Sequence, residues 1–293
     1  MKTKLIGTGF SGLVGSRAVA LLQDAYEIED ISRKTGIDIA DREAVINRIV
    51  PSSAEYVIHM AAYTDVEGAE QEKDLKEKSF SWQINVTGTQ HVVNACERAK
   101  KKLIYISTDM VFPGDKPLGQ TYNETDERGP VNWYAMTKYM GEKVVEQARI
   151  PWTIIRIAYP YRANFEKKEY VRIFLSLLQQ GKHIEAVVDH YYTPTFIDDI
   201  AGVFDAIIKK QATGIFHAGS SQPVNPYDVA VKVAEVFGLD KDLIEKTTRE
   251  AFFKNRAKRP FNLSLNSAKI ATLGVRLHSF DEGLQEIKKQ ITL

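Results

Sequence analysis

The sequence holds a single cysteine, Cys96, in 293 residues. One thiol cannot close an intrachain disulfide, so a secreted, disulfide-stapled scaffold is excluded. Long apolar runs are also missing, since none approaches the ~18 residues of a membrane span. No charge sign dominates either: 39 Lys and Arg stand against 38 Asp and Glu, a net +1. That balance gives no electrostatic reason to expect nucleic acid or an anionic membrane as a partner. The six His residues lack ligand spacings such as HExxH, so no metal is expected. What remains is ordinary composition, 44% apolar and 26% charged. A compact chain of this length buries roughly three quarters of its unfolded surface and needs no staple. These features lead us to expect a cytoplasmic protein.

The N-terminus mimics a signal peptide, with Lys2 and Lys4 ahead of a mostly apolar stretch ending near Ala18-Val19-Ala20. Against this, Gly7, Gly9, Gly12 and Gly15 interrupt the stretch and Arg17 splits it. Glycine at that density is poor for a helical signal core.

Short apolar runs alternate with longer amphipathic segments. The pattern predicts strands at 4–6, 26–31, 56–58, 103–107, 152–157 and 215–218. It predicts helices at 13–23, 42–50, 81–100, 133–148, 170–180, 197–210, 227–237 and 280–292. Such alternation with helical crossovers argues an α/β fold, a doubly wound parallel sheet covered on both faces. Residues 158–195 and those after Gly219 break the rhythm with aromatics, prolines and basic residues. We expect a core from 1–157 and 196–219. A smaller, discontinuous lobe should come mainly from 158–195 and 220–293, with a C-terminal helix.

Gly7-Thr8-Gly9-Phe10-Ser11-Gly12 gives GxGxxG directly after the first strand and before a helix beginning at Leu13. Glycines there permit a tight turn and close backbone approach to a pyrophosphate. The helix N-terminus then offers unpaired N–H groups and a positive dipole end. At the second strand's end, Ile31 is followed by Ser32-Arg33-Lys34. A hydroxyl beside two cations suits the 2′-phosphate of NADP, because Arg binds phosphate bidentately. Asp30 would argue for NAD if it stood at the strand tip. Asp38-Ile39 fits a loop whose carboxylate reaches the adenine amine.

Tyr134 and Lys138 lie four apart on one helix face. Free tyrosine, with a pKa near 10, is a poor acid–base group at neutral pH, and a neighbouring ammonium corrects that. The strand Leu103 to Ser107 ends at Thr108-Asp109, where ligands gather in open α/β sheets.

With these segments in view, the chain resembles the extended short-chain dehydrogenase/reductases. Thr8-Gly9-Phe10-Ser11-Gly12-Leu13-Val14-Gly15 matches TGxxGxxG, and Tyr134-Ala135-Met136-Thr137-Lys138 matches YxxxK. Within them it is most similar to the dTDP-4-dehydrorhamnose reductases. The likeness rests on 59–67, 85–89, 107–114, 122–124, 134–142, Pro194-Thr195 and Arg259-Pro260.

The resemblance implies a Rossmann sheet and NADPH-dependent reduction of a nucleotide-linked 4-keto-6-deoxy sugar, with NADPH preferred over NADH. Tyr134 would protonate the 4-keto oxygen, Lys138 would tune Tyr134 and bind the nicotinamide ribose, and Thr108 would polarise the same oxygen. Gly9, Phe10, Ser11, Gly12, Leu13, Ser32, Arg33, Asp38, Ile39, Ala61, Ala62 and Tyr63 would hold the cofactor. Asp109, Val111 and Tyr159 would sit beside the sugar, and Asn85 would serve mainly as support. A homodimer is the commonest assembly for such chains.

The small lobe departs from the reductase pattern. Where Asp-Gln-x-Gly-Ser-Pro-Thr is usual, the sequence reads Asp189-His190-Tyr191-Tyr192-Thr193-Pro194-Thr195. Residues 157–162 also depart from the usual Val-Tyr-Gly. Arg156, Arg162, Arg172, Lys254, Arg256, Lys258 and Arg259 offer cations for a diphosphate. Tyr159, Tyr161, Tyr191, Tyr192, Phe252 and Phe253 offer faces for a base. Rival readings are a sugar-nucleotide epimerase of the same superfamily and a non-catalytic NADP-binding regulatory subunit like the methionine adenosyltransferase β subunit. A dehydratase is disfavoured because Met110, not Glu, follows Asp109.

Overall fold

A computed structural model describes residues 2–292. Six parallel strands form the main sheet: β1 (Thr3–Thr8), β2 (Tyr26–Asp30), β3 (Tyr56–His59), β4 (Lys102–Thr108), β5 (Trp152–Ile157) and β7 (Gly214–His217), in the order β2-β1-β3-β4-β5-β7. Alternate residues of each strand feed opposite faces. Leu5, Ile58, Ile104 and Ile155 pack with helices α1 (Leu13–Leu22) and α7 (Ile197–Lys210). Their neighbours Ile6, Val57, Leu103 and Ile154 pack with α2 (Arg42–Ile49) and α4 (Thr89–Ala99). Burial on both faces explains why these strands read as apolar runs rather than alternating ones.

From β1 the chain first steps to β2 and then crosses to β3 on β1's other side. Strand order reverses there, and a crevice opens beyond the strands' carboxyl ends. A third cluster lies apart from both sheet faces. It joins α6 (Tyr170–Gln179), α8 (Pro226–Phe237) and α9 (Phe280–Thr292) around a parallel pair, β6 (Ile184–Val187) with β8 (Ile244–Thr247). These four-residue strands were invisible to periodicity. Ile184-Glu185-Ala186-Val187 is too short to separate from the helix before it. Ile270 returns to the core under the main sheet.

The helix expected at 81–100 is broken. A short helix at Phe80–Trp82 leads into a π-helical stretch, Gln83–Gly88, before α4. At that widening the Asn85 amide serves the backbone of Tyr63, accepting from its N–H at 2.8 Å and donating to its carbonyl at 3.0 Å, and donates to Thr137 Oγ1 at 2.9 Å. The Asn85 carbonyl in turn accepts from Thr89 Oγ1 at 2.7 Å. One side chain ties the loop between β3 and α3 (Val66–Gln71) to α5 (Trp133–Glu146). Single π turns commonly mark functional sites.

Candidate active site

Beyond the ends of β1 to β4 lies a cavity of about 500 Å³. Gly9, Ser11, Gly12 and Leu13 form one wall, where α1 begins. Gly9 has φ +73°, and a Cβ there would stand 2.5 Å from the Ala61 nitrogen. A Cβ on Gly15 would meet the Gly9 carbonyl oxygen at 2.3 Å, so glycine lets the helix seat against the loop. No side chain caps α1 and no acidic residue occupies its first turn. Its N-terminus therefore presents free N–H groups and a positive dipole end toward an anion. Gly9→Ala should cost at least about 1–2 kcal/mol from the left-handed conformation alone. It should also displace Ala61 and weaken dinucleotide binding. Unchanged melting and affinity would contradict this description of the loop.

At the adenosine end, Ser32, Arg33, Asp38 and Ile39 line the cavity. β2 ends on Asp30, one residue earlier than its sequence suggested. Asp30 nevertheless does not line the cavity, and its Oδ2 accepts the Ser32 hydroxyl at 2.8 Å. Arg33 leans on Asp38 at 3.2 Å and lies over the Phe80 ring, leaving its guanidinium largely exposed. Such a surface pair is weak and gives way readily to phosphate.

Beneath the glycine loop, His59 is fully buried between two hydroxyls, Thr8 Oγ1 at 2.6 Å from Nδ1 and Thr89 Oγ1 at 3.0 Å from Nε2. Thr89 spends its proton on the Asn85 carbonyl, so Nε2 carries the imidazole hydrogen and Nδ1 accepts. Burial, helped by the Lys138 charge, lowers its pKa to about 3 and keeps it neutral. The Ala61 N–H donates to the Thr8 hydroxyl at 3.1 Å, which links this buried column to the cavity wall formed by Ala61, Ala62 and Tyr63.

Thr108, Asp109, Tyr134 and Lys138 converge on the opposite side. Asn132 caps α5 by accepting the Ala135 N–H at 2.9 Å, which fixes the turn bearing Tyr134. Thr108 reaches the Tyr134 phenol. Burial, then the nearby Asp109, raises the Tyr134 pKa above its ordinary value, so the phenol keeps its proton. Lys138 does not hydrogen-bond Tyr134 here. Its Nζ donates to the Tyr105 hydroxyl at 2.6 Å and the Ile106 carbonyl at 2.8 Å. Burial lowers the Lys138 pKa to about 7, against the upward pull of Glu142.

Glu142 anchors a charge network that sequence reasoning missed. Its carboxylate takes two bonds from Arg156, at 2.9 and 2.8 Å, and one from Arg128 at 2.8 Å. Glu142 and Arg156 are both fully buried. Arg156 is thus a structural cation rather than a diphosphate ligand. Other expected phosphate cations are also engaged: Arg162 on the Leu13 carbonyl at 3.0 Å, Arg172 on Glu169 at 3.1 Å and Arg259 on Glu67 at 2.7 Å. Only i,i+4 spacing on α5 linked Lys138 to Glu142 in the sequence. Nothing local pointed to Arg156.

Two expected contacts fall elsewhere. The Phe10 side chain is buried under the sheet, against Gly7, and does not line the cavity. Val111 is fully buried in the third apolar cluster and does not line the cavity. Tyr159 does line the cavity, with φ +40°. Its ring stacks on Tyr192 at 3.8 Å, and its hydroxyl lies 2.7 Å from His190 Nε2. His190 Nδ1 faces the Pro260 carbonyl at 2.6 Å, so Nδ1 donates there and Nε2 accepts from Tyr159. The histidine is a buried brace for Tyr159. Among the described residues no cluster of metal-ligating side chains occurs, and no helix is long and apolar enough to cross a membrane.

The comparisons agree with this geometry. A dTDP-4-dehydrorhamnose reductase of Mycobacterium tuberculosis is 32% identical over 277 residues, 93% of this chain and 88% of that protein. A crystal structure of dTDP-4-dehydrorhamnose reductase from Bacillus anthracis in complex with NADP superposes with TM-score 0.90 at 27% identity, covering 99% and 100% of the two chains. The UDP-glucose 4-epimerase of Thermus thermophilus shares the fold, with TM-score 0.83 at 20% identity over 99% of each chain. The model of the RmlD substrate binding domain matches residues 3–293, and the chain belongs to that family, on an extended short-chain dehydrogenase/reductase fold.

Proposed function

We propose that this protein is an NADPH-dependent reductase of a nucleotide-linked 4-keto-6-deoxy sugar. The carrying observation is the convergence of the Tyr134 phenol, Thr108 hydroxyl and Lys138 ammonium on a cavity that also holds an uncapped helix N-terminus. The two dTDP-4-dehydrorhamnose reductases named above act on that substrate class. The cofactor fits the residues present. Gly9, Ser11, Gly12 and Leu13 would cradle its pyrophosphate, and Ser32 and Arg33 its 2′-phosphate. Asp38 and Ile39 would border the adenine, with Ala61, Ala62 and Tyr63 along the ribose and nicotinamide. When bound, NADPH supplies the hydride.

The chain's own residues do the rest. Tyr134 gives its proton to the oxygen developing negative charge at C4. Lys138, carrying charge in part near pH 7, provides the cation that offsets the phenolate left behind. Thr108 supplies a second hydrogen bond to that oxygen. Tyr159 and Asp109 border the sugar, and we assign the nucleotide to the lobe of 158–195 and 220–293. Location in the cytoplasm and a homodimeric state belong to the same reading.

Product analysis tests the function. Incubation with NADPH and a dTDP-4-dehydro-6-deoxyhexose should yield a nucleotide sugar carrying two added hydrogens. An epimerised sugar without added hydrogen would overturn it. Arg33→Ala tests the cofactor assignment. Losing a charge-assisted phosphate bond of about 1.5–3 kcal/mol should weaken NADPH roughly ten- to hundredfold and leave NADH nearly unchanged. Equal losses for both would reject the 2′-phosphate role.

A further inference from the structure

A hydroxyl has one proton to donate and two lone pairs to offer. Thr108 Oγ1 accepts the Met110 N–H at 3.2 Å and donates to Asp109 Oδ1 at 2.8 Å. In that arrangement its only proton is spent inside the wall, and Thr108 has nothing to give a ketone oxygen placed beside Tyr134. The same two atoms permit the reverse arrangement. A neutral Asp109 carries the hydrogen on Oδ1 and donates it to Thr108 Oγ1. The two lone pairs of Thr108 are then filled, and its own proton is released toward the cavity.

The surroundings of Asp109 suit such an exchange. It is 1% exposed, and its Oδ2 has no hydrogen-bond partner. Among the described residues no Lys, Arg or His forms an ion pair with it. The titratable groups facing it are phenols: Tyr134 from α5, Tyr159 from the turn after β5 and Tyr192 from the loop before α7. Arg259 lies beyond Tyr159 and is held by Glu67 at 2.7 Å. The stabilisers of a charged Asp109 are few, namely the Thr108 hydroxyl and backbone N–H groups of Met110 and Asp109 itself.

We propose that Asp109 is a positioning residue that sets the direction of the Thr108 hydroxyl, its neutral acid aiming the Thr108 proton at the reacting oxygen and its carboxylate withholding it. The reacting oxygen is that of the keto-sugar reading, on which this inference rests. Burial raises the Asp109 carboxyl to about 7, opposed by the Thr108 hydroxyl and the backbone N–H groups. The exchange therefore falls in the working range. As pH rises through that value the neutral acid is lost, and with it the Thr108 donor.

Two measurements on the full chain test it. The first is kcat/KM against pH for NADPH-dependent reduction of a dTDP-4-dehydro-6-deoxyhexose. Above an apparent pKa near 7 the wild-type profile should fall with two groups, the Asp109 acid and the Lys138 ammonium, and so more steeply than about tenfold per pH unit. Asp109→Asn, whose amide donates to Thr108 at every pH, should keep only the Lys138 limb of about tenfold per unit; superimposable profiles would overturn the proposal. The second is Tm against pH without substrate. The native acid binds a proton that the unfolded chain releases near pH 4, so wild-type Tm should decline between about pH 4 and 7 beyond any decline in Asp109→Asn. Thr108→Val removes a bond that favours the carboxylate and should shift that decline upward. Equal declines in wild type and Asp109→Asn, or no shift in Thr108→Val, would contradict the coupling. Should the wild type reduce no keto sugar, the functional reading fails, while the thermal profiles still decide whether native Asp109 holds a proton from solvent and whether that proton is coupled to Thr108.

Discussion

Tyr134→Phe should lower turnover roughly 10²- to 10⁴-fold while leaving NADPH affinity nearly intact, the span expected when a positioned general acid is removed. The substitution deletes one oxygen and keeps the ring that packs in the wall. Tyr134 is 8% exposed and the turn that carries it is fixed by the Asn132 cap, so the backbone has no reason to move. The residual rate would come from Thr108 and from substrate positioning. The protein reaches this arrangement indirectly. Burial opposes ionisation of Tyr134, and Lys138 is engaged with Tyr105 at 2.6 Å rather than with Tyr134. Tyr134 is therefore held as a proton carrier, the form a ketone reduction requires. A variant retaining more than a tenth of wild-type turnover would contradict the acid role.

The largest effect on stability is expected at Glu142→Gln. Glu142 and Arg156 are buried without exposure and share two hydrogen bonds. Removing one charge strands the other in a low-dielectric interior, which typically costs about 3–5 kcal/mol. In a chain of this size that is a fall in Tm on the order of 10 °C. Arg156 and Arg128 hold the Glu142 pKa below its ordinary value, although burial alone acts the other way. The pair's contribution is thus present above about pH 4.3, the unfolded value, and is lost as pH falls through the lowered native value. Catalysis should suffer too, because the Glu142 charge supports the ammonium of Lys138. A double variant, Glu142→Met with Arg156→Met, should lose less than the single one, since it leaves no stranded charge at this pair. A single variant that melts within about 1 °C of wild type would contradict the network's importance.

Much of the site was legible because its physics is local. Gly9 and Gly15 are required by a turn and a helix packed within a few ångströms of one another, and the chain order prints that requirement directly. Tyr134 and Lys138 are close because a helix repeats. The strand-end rule placed Thr108 and Asp109 at the cavity without any knowledge of side-chain contacts. Elsewhere the determinants were separated in sequence. Arg156 meets Glu142 across β5 and α5, and His59 meets Thr8 and Thr89 through three different elements. Phe10 shows the converse error: a residue inside the glycine motif turned its ring into the core, because the loop shares that wall with the sheet. Lys138 was expected to act on Tyr134 directly, and its bond to Tyr105 arises from a strand residue 33 positions away. The π-helical turn at Asn85 escaped notice because Gln83–Gly88 keeps a helical composition, and only its long-range bonds to Tyr63 and Thr137 reveal why it widens.

NADPH oxidation with a dTDP-4-dehydro-6-deoxyhexose, followed by absorbance in wild type and in Tyr134→Phe, addresses the central claim most directly. The account predicts rapid oxidation by the wild type that requires the sugar and collapses in the variant, with NADPH bound comparably by both. No oxidation by a wild type that binds both NADPH and the nucleotide sugar would contradict it, and would move the assignment to an NADP-binding protein that acts on a partner instead.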